Sequence, residues 1–148
     1  MTVTLREITM DNFRECIQLR VGEAQKDFVA SSMYSLAEAQ ADKVSNPLAI
    51  YAGDEMVGFI MYDFNAGEKR GYISRLMVDA RFQGKGYGRA AMSEVVDRLR
   101  HEPGIRDIQT SFHPDNTTAD ALYASLGFAR TGELIDEEIV VRIRLVQP

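Results

Sequence analysis

The sequence predicts an α/β (α+β) fold in which four helices flank a mixed, mostly antiparallel sheet. Three observations predict it. Residues 2–8, 48–52, 56–62, 71–78, 105–112 and 138–146 carry the apolar runs or period-two alternation of strands. Residues around 13–21, 35–44, 88–102 and 116–127 carry helical spacing or helix start and stop signals. One of these helices lies between stretches 71–78 and 105–112, a crossover that makes those strands parallel neighbours in a sheet otherwise joined by hairpins.

Taken in order, Thr2-Val3-Thr4-Leu5-Arg6-Glu7-Ile8 alternates as a strand. Thr9 or Asp11 is a candidate cap for a helix in which Phe13, Ile17 and Val21 recur at four-residue spacing. Cys16 beside that stripe reads as a small buried hydrophobe, since no histidine neighbours it in sequence. Ser35 and Glu38 form a capping box for a helix over 35–44, which Asn46-Pro47 ends. Glu23 and Asp27 stand four apart, as do Glu38 and Asp42, and like charges at that spacing weaken a helix by a few tenths of a kcal/mol. They read either as a solvated face, with Lys26 and Lys43 nearby, or as a cation-binding wall.

The apolar strands 48–52 and 56–62 meet at Gly53-Asp54, a tight hairpin turn. A second turn, Asn65 to Lys69, leads into strand 71–78, so three strands form an antiparallel meander. Ala91, Met92, Val95, Val96 and Leu99 make one apolar helix face, which Pro103-Gly104 terminates. Strand 105–112 follows. Thr117 with Asp120 resembles a capping box, Gly127 supplies a left-handed stop, and Phe128 would fold back onto Leu122 or Tyr123. Ile139, Val141, Ile143 and Leu145 occupy one face of the closing strand 138–146.

A chain of 148 residues can bury a core without staples, so one domain over residues 1–148 is expected. Hydrophobic content of 45% and charged content of 26% are those of a soluble globular protein. No stretch is long and apolar enough to span a membrane and no secretory leader is visible, so the cytoplasm is the expected location. One cysteine and two histidines, His101 and His113, argue against a structural metal. The net charge of −5 disfavours nucleic acid and favours a small cationic partner.

The most informative run is Leu76-Met77-Val78-Asp79-Ala80-Arg81-Phe82-Gln83-Gly84-Lys85-Gly86-Tyr87-Gly88-Arg89. It leads from a strand through three alternate glycines, among Arg81, Lys85 and Arg89, into a helix. Glycines let the backbone approach a ligand, and a helix N-terminus offers unpaired N–H groups at the positive end of its dipole, so the run suits phosphates. It is not the nucleoside triphosphate loop, because Gly84-Lys85 is followed by Gly86. Nor does it match the dinucleotide fingerprint, although Asp107 lies where a ribose-binding acid would.

Gln83-Gly84-Lys85-Gly86-Tyr87-Gly88, a Gln-x-x-Gly-x-Gly run, resembles the coenzyme A pyrophosphate loop of the GNAT superfamily of N-acetyltransferases. Asn116 to Phe128, with its Asn, its Tyr-bearing helix and its closing Gly-Phe, resembles that superfamily's second acetyl-CoA segment. The resemblance implies the GNAT fold: about seven strands and about four helices, with the parallel pair splayed at the acetyl-CoA site. It implies acetyl-CoA as cosubstrate and no metal. The main chain of Leu76, Met77 and Val78 would hold the pantetheine arm and place an N–H at the acetyl oxygen. Amides of Gly84, Lys85, Gly86, Tyr87, Gly88 and Arg89 would hold the pyrophosphate, with Gln83 opening the loop. Asn116 would contact the coenzyme arm, and Tyr123 would protonate the departing sulfur. Taken alone, a tyrosine at position 123 reads as a core residue with its hydroxyl at the surface.

The implied reaction is direct attack of a primary amine, which needs no enzyme nucleophile. An amine with pKa near 10.4 must first lose a proton. Glu23, Glu38 and Glu133 are candidate proton acceptors, and Glu23, Asp27, Glu38 and Glu133 are candidates for binding the acceptor. His113 is a lesser candidate for the base. The acidic turn Glu133, Asp136, Glu137, Glu138 before the last strand is either a solvated hairpin tip or binds a distal ammonium. Within the superfamily, residues 51–62 and 75–79 are most similar to bacterial spermine/spermidine and diamine N-acetyltransferases, which implies a polyamine acceptor. A protein N-terminus, a lysine or an antibiotic amine is the alternative acceptor, and a non-catalytic acetyl-CoA-binding module is the alternative of another class. The resemblance also raises a homodimer, with the closing strand as a possible contact.

Overall fold

A computed structural model describes residues 2–145. Its elements in chain order are β1 (Thr4–Glu7), α1 (Phe13–Ile17), α2 (Ser32–Asp42), β2 (Asn46–Ala52), β3 (Glu55–Asn65), β4 (Arg70–Val78), α3 (Tyr87–Arg100), β5 (Asp107–Phe112), α4 (Thr117–Ser125), β6 (Ala129–Ile135) and β7 (Glu138–Arg144). They form one seven-stranded sheet in the order β1-β2-β3-β4-β5-β7-β6. Every neighbouring pair is antiparallel except β4 with β5. The mixed, mostly antiparallel sheet with four helices and one parallel pair is the architecture expected.

Both faces of the sheet are covered. The apolar stripe of α3 packs with Leu5, Ile50, Ile60, Ile73, Ile108 and the aromatic end of α4. Cys16, Leu19, Ala39, Phe59, Met61 and Met77 pack on the opposite face, beneath α1 and α2. This explains why β3 is a continuous apolar run: six consecutive residues, Met56 to Met61, are buried. Each large side chain buried in this way contributes about 1.5–3 kcal/mol.

Several sequence expectations are corrected. α1 is a single short turn, and Val21 lies beyond it. The Arg20 N–H donates to the Asp79 carboxylate at 3.0 Å and the Ala80 N–H to the Arg20 carbonyl at 2.7 Å, which draws the chain off the helix axis onto the end of β4. Neither Thr9 nor Asp11 caps α1 with its side chain. Instead Asn12 precedes it, its Oδ1 accepting from the Thr9 N–H. α2 begins three residues before Ser35: Ser31 is its cap, accepting from the Tyr34 N–H at 3.1 Å. Ser35 is buried inside the helix and donates to the Ser31 carbonyl, and buried Ser32 donates to the Cys16 carbonyl. These two inward-facing serines hid the helix start. Asn46-Pro47 opens β2, and Pro47 is tolerated because β1 pairs no further than Leu48. Asn116, not Thr117, caps α4.

β6, an edge strand exposed at six of its seven residues, lacked any alternation to reveal it. Its hairpin to β7 turns at Asp136-Glu137, both at positive φ (50° and 69°). In β7, Val140 on the opposite face is as buried as Val141. Val146, assigned to that strand by its pattern, lies outside the described residues.

The parallel pair opens into a fork. Only Arg70–Asp107, Gly71–Ile108 and Tyr72–Gln109 are in register. Asp107 accepts two hydrogen bonds from Arg70, at 2.7 and 3.2 Å, which clamp the closed end. It is therefore a structural partner and no ribose ligand. At the branch point Thr110 Oγ1 donates to the Ile73 carbonyl at 2.8 Å. Beyond it the two strands part.

Candidate active site

The fork runs into a cavity of about 830 Å³. One mouth is the glycine loop. Gly84 and Gly86 lie at φ of 79° and 86°, a left-handed conformation that costs other residues roughly 1–2 kcal/mol. Gly86 starts α3 without any side-chain cap. The first N–H groups of this fourteen-residue helix are thus left without intrahelical partners. Gln83 fixes the loop from behind, donating to the Val78 carbonyl at 2.9 Å and to Gln25 Oε1 at 2.7 Å. Asp79 anchors its start, accepting from the Arg81 N–H and Nε and from the Arg20 N–H. Burial pushes the Asp79 carboxyl upward, but the Arg81 and Arg20 hydrogen bonds outweigh it and hold it below the ordinary carboxylate range.

Of the three loop cations, Arg81 is paired with Asp79 and Arg89 donates to Ser125 Oγ. Lys85 is exposed and off the cavity wall. The walls include Leu76, Met77, Val78, Gln83, Gly84, Gly86, Tyr87, Gly88, Arg89, Asn116 and Tyr123. Past Ile73, β4 is in register with no residue of β5 among the described residues, so that part of the strand borders the cavity, with its Val78 carbonyl taken by Gln83. Asn116 uses its Oδ1 to cap α4, accepting from the Ala119 N–H at 3.2 Å, which leaves its amide NH₂ as a donor.

Tyr123 is only 6% exposed and packs between Phe112 and Phe128, ring centroids 6.0 Å from each. The Phe128 N–H donates to the Tyr123 carbonyl at 3.0 Å, the fold-back that the Gly127 stop implied. Burial pushes the phenol up to about 12; a Thr110 hydrogen bond opposes this and the nearby Glu138 charge adds to it. At neutral pH Tyr123 is therefore a proton and hydrogen-bond donor. Cys16 is fully buried, its thiol pushed up to about 11 by that burial, so it carries no thiolate near pH 7.

Glu23, Asp27, Glu38 and Glu133 do not line the cavity. Glu23 pairs with Lys26 at 3.1 Å, Glu38 with Arg75 at 3.1 Å and Glu133 with Arg142 at 3.6 Å, while Asp27 is exposed. The carboxylates on the wall are Asp136 and Glu138. Glu138 accepts from Ser111 Oγ at 2.7 Å. Their place at an acidic hairpin tip was visible in the sequence; the pairing of β7 with β5 that brings Glu138 to Ser111 was not. His113 stacks on Phe28, centroids 4.9 Å apart, and its Nδ1 accepts the Asp115 N–H. Among the described residues no group of His, Cys, Asp and Glu is placed to hold a metal, and no helix is long and apolar enough to cross a membrane.

The site thus offers amide donors suited to phosphates, an open strand edge for an extended amide-bearing arm, a buried hydroxyl donor and two carboxylates. The sequence pattern of the Acetyltransferase (GNAT) family matches residues 4–128. The chain is 28% identical over 140 residues to the spermine/spermidine N(1)-acetyltransferase of Bacillus subtilis, covering 90% of this chain and 92% of that one. A crystal structure of spermidine N-acetyltransferase from Vibrio cholerae, in complex with CoA and spermine, superposes with a TM-score of 0.75. It is 17% identical over 97% of this chain and 95% of its own. The PaiA N-acetyltransferase of Thermoplasma acidophilum, solved with coenzyme A, superposes at 0.73 with 16% identity, over 98% of this chain and all of its own. These structures share the fold. The chain belongs to the acetyltransferase (GNAT) family and is an N-acetyltransferase.

Proposed function

We propose that the protein, as a single domain, uses acetyl-CoA to acetylate a small cationic primary amine, with a polyamine as the preferred acceptor. The observation that carries this reading is the continuity of one cavity. It leads from the capless glycine loop, along the part of β4 that β5 leaves uncovered, to Tyr123, with Asp136 and Glu138 on its wall. The polyamine acetyltransferases among the relatives support the choice of acceptor.

When bound, acetyl-CoA supplies an acetyl group activated as a thioester. The amides of Gly84 and of Gly86 to Arg89 would hold its diphosphate, and the edge of β4 from Leu76 to Val78 would hold its pantetheine amides. An N–H preorganised at the carbonyl oxygen is worth about 3–4 kcal/mol to the transition state. Tyr123 donates to the sulfur as charge builds there. A thiol has a pKa near 8.5, so complete transfer from a phenol at about 12 is uphill, and the hydrogen bond itself carries most of the effect. Asp136 and Glu138 hold the ammonium end of the acceptor.

A thiol-release assay with spermidine, spermine, diamines and a peptide panel tests this. The expected result is turnover of the polyamines with kcat/KM at least about tenfold above any peptide, a margin of some 1.4 kcal/mol. A preference for peptides would move the acceptor assignment to protein amines. Coenzyme A binding with no turnover across the panel would make the protein a binding module.

A further inference from the structure

We propose that Glu138 is the group that takes the proton from the acceptor ammonium, a catalytic role resting on the amine acetyltransferase reading above. An amine with pKa near 10.4 is unprotonated in only about 4 molecules per 10,000 at pH 7, so a proton acceptor inside the site changes the rate greatly. The carboxylates singled out from sequence are off the cavity or engaged elsewhere. Glu38 is held by Arg75 and Glu133 faces Arg142. Asp136 lies on the cavity wall but at the exposed tip of the hairpin.

Glu138 differs in three respects. It is partly buried at the first position of β7, on the cavity wall. One of its oxygens is fixed by Ser111 Oγ at 2.7 Å, leaving the other for a ligand. Ser111 and Tyr123 line the same cavity, so the fixed carboxylate and the phenol share one site. A base oriented by a third group, beside the donor that serves the leaving atom, is the geometry that acyl transfer to an amine requires.

The ammonium gives one proton to Glu138. Its freed lone pair forms the C–N bond as the C–S bond breaks. The nitrogen loses a second proton as the amide forms, the sulfur gains one to end as a thiol, and Glu138 releases one to solvent. One proton is produced per turnover.

The other ionisable groups on the cavity wall are Tyr72 and Arg75 on β4, Tyr87 and Arg89 on α3, Tyr123 on α4 and Asp136, with Glu137 next to Glu138 in the hairpin. Arg75 is ion-paired, Arg89 donates to Ser125 Oγ, and Tyr123 stays protonated to high pH.

The test compares wild type with Glu138→Gln, Glu138→Asp and Asp136→Asn, using spermidine or whichever panel amine turns over fastest. Glu138→Gln is expected to lower kcat/KM at pH 7 by at least about a hundredfold. The deficit should shrink about tenfold per pH unit toward the amine's own pKa, because solution then supplies the free base. Glu138→Asp should keep the wild-type pH profile at a reduced rate, Asp136→Asn should raise the KM for the amine while keeping that profile, and coenzyme A affinity should stay within about twofold throughout. A Glu138→Gln enzyme with a raised KM but unchanged kcat and pH profile would overturn the proposal and leave Glu138 a binding residue. If Asp136→Asn instead shows the pH-dependent loss, the role passes to Asp136. Wild-type protein that binds no coenzyme A and acetylates no amine would overturn the amine acetyltransferase reading itself.

Discussion

At the scale of single residues, chemistry is set by burial. Tyr123 sits in an apolar clasp of Phe112 and Phe128, so its phenol is held at about 12 and never competes as a base. Tyr123→Phe keeps that packing and removes only the donor. It is expected to lower kcat at least about tenfold with the KM for acetyl-CoA within about twofold, since only an interaction strengthened in the transition state is lost. Steady-state kinetics check this, with a pre-steady-state measurement to establish that chemistry limits the rate. Unimpaired turnover would return Tyr123 to a packing role. The same burial affects stability. Because the folded-state pKa is raised, the folded form holds its proton longer than the unfolded chain. Tyr123 thus contributes stability that is full below pH 10 and lost as pH rises through about 12, at most about 2.7 kcal/mol. Urea midpoints of wild type and Tyr123→Phe should therefore converge or cross between pH 10 and 12. A constant difference would contradict the raised pKa.

At the scale of elements, the site depends on β4 being held on one side and released on the other. On the β3 side the contact is unusually close: a Cβ at Gly58 would lie 2.4 Å from the Met77 carbonyl oxygen. β3 is buried on both faces and cannot retreat. Gly58→Ala is expected to cost about 1–3 kcal/mol and to raise the KM for acetyl-CoA by shifting the end of β4. Gly22→Ala, where nothing lies within 4 Å, should be neutral. Equal urea midpoints for the two variants would show that the strands part more easily than their packing implies. Elements with strong local patterns were legible in the sequence: the stripe of α3, the Gly53-Asp54 hairpin, and the crossover that makes β4 and β5 parallel. Elements governed by distant contacts were not. α1 is cut short by Asp79, more than fifty residues away, and the start of α2 is masked by two buried serines, of which Ser32 bonds the Cys16 carbonyl. β6 is an exposed edge with no pattern to read. The acidic turn was noticed, but Ser111 reaches Glu138 only because β7 inserts between β5 and β6. That insertion is a property of topology, and no local window of sequence contains it.

At the scale of the whole molecule, an acidic chain of net charge −5 carries a basic glycine loop at one end of a single continuous cavity and two carboxylates on its wall. That arrangement pairs an anionic donor with a cationic acceptor. Its central claim is that the main-chain amides of Gly84 and of Gly86 to Arg89 grip a diphosphate and so aim a thioester along β4. Isothermal calorimetry of the folded protein with coenzyme A, acetyl-CoA and pantetheine tests it most directly. The expected result is saturable one-to-one binding of both coenzymes, with pantetheine, which lacks the diphosphate, at least about a hundredfold weaker, a difference of about 2.7 kcal/mol. No heat of association with either coenzyme, or equal affinity for pantetheine, would contradict it.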